Sequence, residues 1–103
     1  ITLHPTPGHS PGGICIQINR LLATGDTLFI NGCGRCDLEN SDVHAMYNSL
    51  EKLKELADEL TVLPGHDYGS SSTELLGKEK KTNRFLICQS KEQFIEKRMR
   101  KIK

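Results

Sequence analysis

At 103 residues the chain is read as one domain with a modest core. A formal net charge of +1 selects no partner by sign, and no apolar run approaches the roughly 18 residues that span a bilayer. Neither a nucleic acid nor a membrane is expected as a partner. Four cysteines without a recognisable secretory signal give the expectation of a reducing, cytoplasmic setting.

In chain order, Ile1 to Leu3 reads as the end of a strand. Thr6-Pro7-Gly8-His9-Ser10-Pro11-Gly12-Gly13 follows as a rigid turn. Pro7 and Pro11 remove backbone donors and fix φ, so this segment is neither a helix nor a central strand. A histidine on such a loop, His9, is well placed to ligate a metal. Ile14 to Ile18 and Leu21 to Thr24 read as strands joined through Asn19-Arg20, a hairpin-length link in which Asn tolerates positive φ. The second apolar run delivers a carboxylate, Asp26, at its end. Residues 26–39 then read as a glycine-rich loop.

Val43, Met46, Tyr47, Leu50, Leu53, Ala57 and Leu60 recur at helical spacing. The pattern predicts a helix from about Asp42 to Glu59, with Ser41 as its N-cap and Asp42 in the first turn. His44 falls off the apolar stripe and is expected to be exposed. Thr61 to Leu63 forms a short buried strand, stopped by Pro64-Gly65 and followed by His66. Ser71-x-x-Glu74 and Ser90-x-x-Gln93 have capping-box form, which predicts helices beginning near Thr73 and Lys91. Phe94, Ile95, Met99 and Ile102 give the last helix a narrow apolar face. From Leu76 onward ten Lys/Arg stand against three acids, whereas Ile1 to Leu75 holds four against ten. Such a segment receives an acidic ligand or forms a solvated helix face.

Three short elements thus each deliver one ligand-type side chain: His9, Asp26 and His66. The cysteines carry less. Cys33-x-x-Cys36 lies among glycines rather than at a helix start, and Cys15 and Cys88 supply no second pair for structural zinc. Cys15, within Ile14-Cys15-Ile16, reads as a small core residue.

The His9 turn, the Asp26 strand end and the Val62-Leu63-Pro64-Gly65-His66-Asp67-Tyr68 segment together resemble the metallo-β-lactamase fold superfamily. Gly32-Cys33-Gly34-Arg35-Cys36-Asp37-Leu38 and Gly77-Lys78-Glu79-Lys80-Lys81-Thr82-Asn83-Arg84-Phe85-Leu86 are similar to its glyoxalase II and persulfide dioxygenase branch. The resemblance implies an α/β fold, the C-terminal half of an αββα sandwich. Residues 1–71 would be the second half of the domain and 72–103 its C-terminal helical segment. It also implies two divalent metal ions, zinc first, with iron or manganese as the other candidates. Asp26 would bridge them, His9 would serve the first and His66 the second, and a metal-bound hydroxide would attack a thioester carbonyl. Arg35 and Tyr68 match residues that contact glutathione. Asp37 stands where glyoxalase II has an aromatic residue, a form closer to persulfide dioxygenases; the alternative for Arg35 is a loop-bracing salt bridge to Asp37 or Glu39.

The superfamily's His-x-His-x-Asp-His motif does not occur in this chain. The expectation is therefore a hydrolase that is incomplete, and inactive, without an N-terminal half. Two alternatives stand beside it, a mononuclear iron dioxygenase acting on a persulfide and a non-catalytic, partner-binding fragment. The expected partners are a thioester or persulfide small molecule, with either homo-oligomerisation or association with the missing half.

Overall fold

The computed structural model describes residues 1–66 and 72–100. β1 (Thr2–Pro5), β2 (Ile14–Ile18) and β3 (Leu21–Gly25) form an antiparallel meander. The link between β2 and β3 turns on Asn19, whose φ of 53° suits asparagine. The chain then crosses over through α1 (Val43–Leu53) to β6 (Thr61–Pro64), which pairs parallel to β3. β7 (Glu74–Leu75) adds antiparallel to β6, so the sheet order is β1-β2-β3-β6-β7. α2 (Leu76–Thr82) and α3 (Lys91–Met99) complete the α/β architecture expected from the sequence.

Strand alternation assigns the two sheet faces. Cys15, Leu22 and Val62 point into a core shared with Met46, Leu50 and Leu53 of α1 and Phe94 of α3, all of them buried. The opposite face is also apolar. Leu3, Ile16, Ala23 and Leu63 lie in one cross-strand row, and Ile18, Leu21, Thr61 and Leu75 in another. Among the described residues this face has no helix over it: Leu3 is 59% exposed, Ile16 38% and Leu75 50%.

Four expectations need correction. The segment 26–39 is not all loop. β4 (Leu28–Phe29) and β5 (Gly32–Cys33) pair as a tight ribbon around Asn31, whose φ is 58°. The helix expected to run to Glu59 ends at Leu53, because tighter bonds such as Glu55 N to Lys52 O and Leu56 N to Leu53 O wind the chain out toward β6. Ala57 is consequently exposed, and Leu60 is buried without being helical. The N-cap is Asp42, whose carboxylate accepts from His44 N and Ala45 N; Ser41 Oγ instead donates to His9 O.

His44 is exposed as expected. The fourth correction concerns the second expected helix, near Thr73: Glu74 and Leu75 extend the sheet and α2 starts only at Leu76; Ser71 itself lies outside the described residues. The cap at Ser90 forms, with Ser90 Oγ accepting from Gln93 N. On the face of α3, Phe94 is fully buried, Met99 is 39% exposed and Ile102 lies outside the described residues.

Candidate metal centre

His9 is positioned by contacts between its turn and α1. Asp42 N donates to Gly8 O, Ser41 Oγ to His9 O and Ser49 Oγ to Pro7 O, at 2.7–2.8 Å. The turn lies so close to the helix that a Cβ on Gly8, whose φ is 150°, would fall 2.5 Å from Met46 Cα. Only glycine fits there.

Asp26 follows β3 immediately. The β3/β6 register shifts between Ala23 and Gly25, a bulge-like irregularity of the kind that re-aims a chain end beside a site. Thr24 Oγ1 donates to Leu28 O at 2.6 Å and Gly34 N to Thr27 O at 3.1 Å, folding the β4–β5 ribbon back over the aspartate. His66 is brought in by the next strand, with Gly65 N donating to Gly25 O at 2.8 Å. Its ring stands edge-on to Phe29, with centroids 6.0 Å apart.

The three side chains converge. His66 Nδ1 lies 2.8 Å from Asp26 Oδ1, and His9 Nε2 lies 3.8 Å from Asp26 Oδ2. His9 Nδ1–H donates to Arg35 O at 2.9 Å, which leaves the ring's lone pair on Nε2, facing the carboxylate. A ring held through one nitrogen by a carbonyl, with its lone pair at the other, is the arrangement of a metal-ligating histidine. The 3.8 Å gap is too long for a hydrogen bond. It suits a shared ion, since two donors each about 2.0–2.2 Å from one metal lie ~3–4 Å apart. Two imidazoles and a carboxylate make a donor set for zinc or iron. Among the described residues no group of three or more His, Cys, Asp or Glu is closed enough to hold an ion unaided. The set is therefore partial.

A cavity of about 360 Å³ opens on these residues. Phe29 and Ile30 give it an apolar wall, and Arg35, Arg84 and Arg98 also line it. Arg35 is tied to Asp37 by two bonds, Nε to Oδ1 at 2.7 Å and Nη2 to Oδ2 at 3.0 Å, which is the loop-bracing arrangement. That hydrogen bond holds the Asp37 carboxyl below its usual range. Tyr68 lies outside the described residues. Arg84 and Arg98 are signalled in the sequence only as members of the basic C-terminal run.

Cys33 and Cys36 are buried free thiols. Burial pushes Cys33 up to about 12, with the nearby Arg98 pulling against it, and pushes Cys36 up to about 11. Such thiols are poor nucleophiles at neutral pH. Cys15 is fully buried in the core, as its sequence context suggests.

The chain belongs to the metallo-beta-lactamase superfamily, whose sequence profile matches residues 1–66. It is 35% identical over 97 residues to the probable polyketide biosynthesis zinc-dependent hydrolase PksB of Bacillus subtilis, covering 93% of this chain and 43% of that protein. A hydroxyacylglutathione hydrolase of Anaeromyxobacter dehalogenans is 39% identical over 68% of this chain and 28% of its own length. The human mitochondrial persulfide dioxygenase ETHE1 is 33% identical, covering 76% of this chain and 32% of that protein.

Among solved structures, ETHE1 from Myxococcus xanthus superposes with a TM-score of 0.87 at 33% identity, covering 98% of this chain and 46% of that one. TTHA1623 in a di-iron-bound form gives 0.74 at 37% identity, covering 82% and 41%. The chain thus spans less than half the length of each of these proteins. Among the described residues no helix is long and apolar enough to cross a membrane.

Proposed function

We propose that this chain is part of a metal-dependent hydrolase that cleaves thioesters, contributing His9, Asp26 and His66 to a two-ion centre whose other ligands come from a His-x-His-x-Asp-His segment this chain lacks. The observation that carries the reading is the convergence on Asp26, with His9 held through Nδ1 so that Nε2 faces the carboxylate. The hydrolase names of the polyketide-biosynthesis and hydroxyacylglutathione relatives support it, and the part of those relatives that this chain does not cover leaves room for the missing ligands.

Divalent ions held there by His9, Asp26 and His66 together with the further ligands would supply a nucleophile from water at neutral pH and polarise the acyl carbonyl. The chain's own residues set the stage. Asp26 offers one oxygen toward each histidine and fixes the orientation of the His66 ring. Phe29 and Ile30 form an apolar wall that takes an acyl group and limits water. A thiolate leaving group, with a free-thiol pKa near 8.5, needs little help from an acid.

A second reading is a mononuclear iron dioxygenase acting on a persulfide. It is favoured by the fit to ETHE1 and by the His66 Nδ1 contact to Asp26, which would make His66 an orienting residue rather than a ligand. Metal analysis separates the two. In the hydrolase, Asp26→Ala should lose more metal than His66→Ala, because the carboxylate would serve both ions and each histidine only one. In the dioxygenase, His66→Ala keeps its iron. Wild-type metal content in Asp26→Ala would remove the whole assignment.

A further inference from the structure

The cavity beside Asp26 carries two positive charges that the metal centre does not use. Arg84 and Arg98 both line it, and neither has a carboxylate partner among the described residues. The nearby acids are already engaged. Glu79 accepts from Asn31 N and Asn83 Nδ2, and Glu96 pairs with Arg100. Arg35, the third arginine of the cavity, is taken up by both oxygens of Asp37.

The two guanidiniums are held in place by the same ring. Arg84 Cζ lies 5.1 Å and Arg98 Cζ 4.9 Å from the centroid of the buried Phe85, a cation–π arrangement that anchors each side chain without neutralising its charge. Arg98 is further pinned by a 2.9 Å bond from Nη1 to Cys33 O. Its Nε is buried and has no acceptor. An unsatisfied donor beside the cavity is a cost the free protein carries.

From this geometry we infer that Arg84 and Arg98 form an anion subsite for the phosphate of a phosphate-bearing thiol carrier, the chemistry shared by coenzyme A and a phosphopantetheinylated carrier protein. The inference rests on the thioesterase reading and names the thiol half of its substrate. Phosphate is favoured over a peptide carboxylate by charge and shape. A single carboxylate would leave one of the two guanidiniums unpaired, whereas a phosphate or pyrophosphate group has charge and oxygens enough for both forks. The arginine placed to meet glutathione, Arg35, is meanwhile braced by Asp37.

The test compares coenzyme A with pantetheine, titrated calorimetrically into the metal-loaded protein. The two probes share one thiol, so any sulfur–metal contact cancels in the ratio of affinities. Coenzyme A should bind at least ten-fold tighter at low salt, with the ratio falling as salt rises. Arg84→Gln, at an exposed position, and Arg98→Gln should each bring that ratio toward one, and Arg98→Lys should keep only part of it.

Equal binding of the two probes by the wild type overturns the inference, as does a ratio unchanged in both glutamine variants. A carrier protein that binds only in its phosphopantetheinylated form, more tightly than coenzyme A, supports the subsite and identifies the carrier as its source. Turnover of S-acetylpantetheine is followed in parallel, in a metal-loaded assembly that also supplies the His-x-His-x-Asp-His segment. Absence of turnover with the affinity ratio intact counts against the hydrolase reading alone, and turnover with no ratio counts against the subsite alone.

Discussion

Asp26 is confined by its neighbours as much as by its own strand. A Cβ on Gly34 would lie 1.9 Å from Asp26 O and 3.1 Å from His9 Cβ, so the ribbon reaches the aspartate only because residue 34 has no side chain. Gly34→Ala must displace the Asp26 main chain, on which the carboxylate is mounted, or move the ribbon away from His9. Overpacking of this kind costs about 1–3 kcal/mol, and the larger effect is expected on the ion. Bound metal should fall several-fold while circular dichroism still shows a folded protein; full metal occupancy would show that the His9–Asp26 spacing does not matter. The raised thiols give a second expectation at this scale. Cys33 and Cys36 stay protonated in the fold to about pH 12 and 11, against 9.0 unperturbed, so above pH 9 the unfolded chain binds fewer protons than the folded one. Their stabilising contribution is complete below pH 9 and is lost as pH rises, at up to about 1.4 kcal/mol per pH unit per thiol. Denaturant midpoints between pH 8 and 11 should therefore fall, and Cys33→Ala should flatten the slope. An identical slope in the variant would refute the role of this thiol.

The element on which the site depends most is the short helix α2, through Asn83 just beyond its end. Asn83 is fully buried. Its Nδ2 lies within 3.1 Å of Phe29 O, Gly32 O and Glu79 Oε1, while Oδ1 accepts from Phe85 N and Leu86 N. One side chain thus clamps the β4–β5 ribbon that carries Phe29 against His66. Asn83→Ala leaves two ribbon carbonyls and two amides unmatched and should cost about 2–4 kcal/mol, with faster hydrogen exchange at Gly34 N, which bonds to Thr27 O. Unchanged exchange there would place the clamp's effect outside the ribbon. This contact also explains what the sequence could reveal. The His9 turn is legible because proline and glycine act locally, and the β2–β3 hairpin because Asn19 and strand alternation act over a few residues. The ribbon is not: two-residue strands have no period, and what makes them strands is an asparagine more than fifty positions away. The end of α1 was obscured for a related reason. Leu60 keeps the helical spacing of the apolar stripe but reaches the core from a turn, so burial continues where helix does not. The pattern of candidate ligands stands out because His9, Asp26 and His66 each close a short apolar or turn motif, whereas Arg84 and Arg98 differ from their basic neighbours only in where the turn after α2 and the helix α3 place them.

At the scale of the molecule the decisive feature is the sheet's second face. Leu3, Ile16, Ala23 and Leu63 form a continuous row across β1, β2, β3 and β6, and Ile16, near its middle, is 38% exposed. An apolar face of this breadth is a surface for association, and the proteins this chain matches are more than twice its length. The same substitution should therefore act with opposite sign in two settings. When residues 1–103 are produced alone, the face meets water and they should self-associate; Ile16→Ser should shift sedimentation toward monomer. In an assembly with a partner segment that supplies the remaining ligands of the proposed centre, Ile16 is expected to be buried against it, and losing a branched aliphatic side chain should destabilise by about 1.5–3 kcal/mol. A monomeric isolated chain at high concentration, together with a neutral Ile16→Ser in that assembly, would mean that this face stays in solvent. The fragment expectation would then lose its physical basis, because a second half would have no apolar surface here to cover. Gain of solubility in one setting and loss of stability in the other would instead identify the face as the seam between the two halves, the surface that must close before the remaining ligands can reach Asp26.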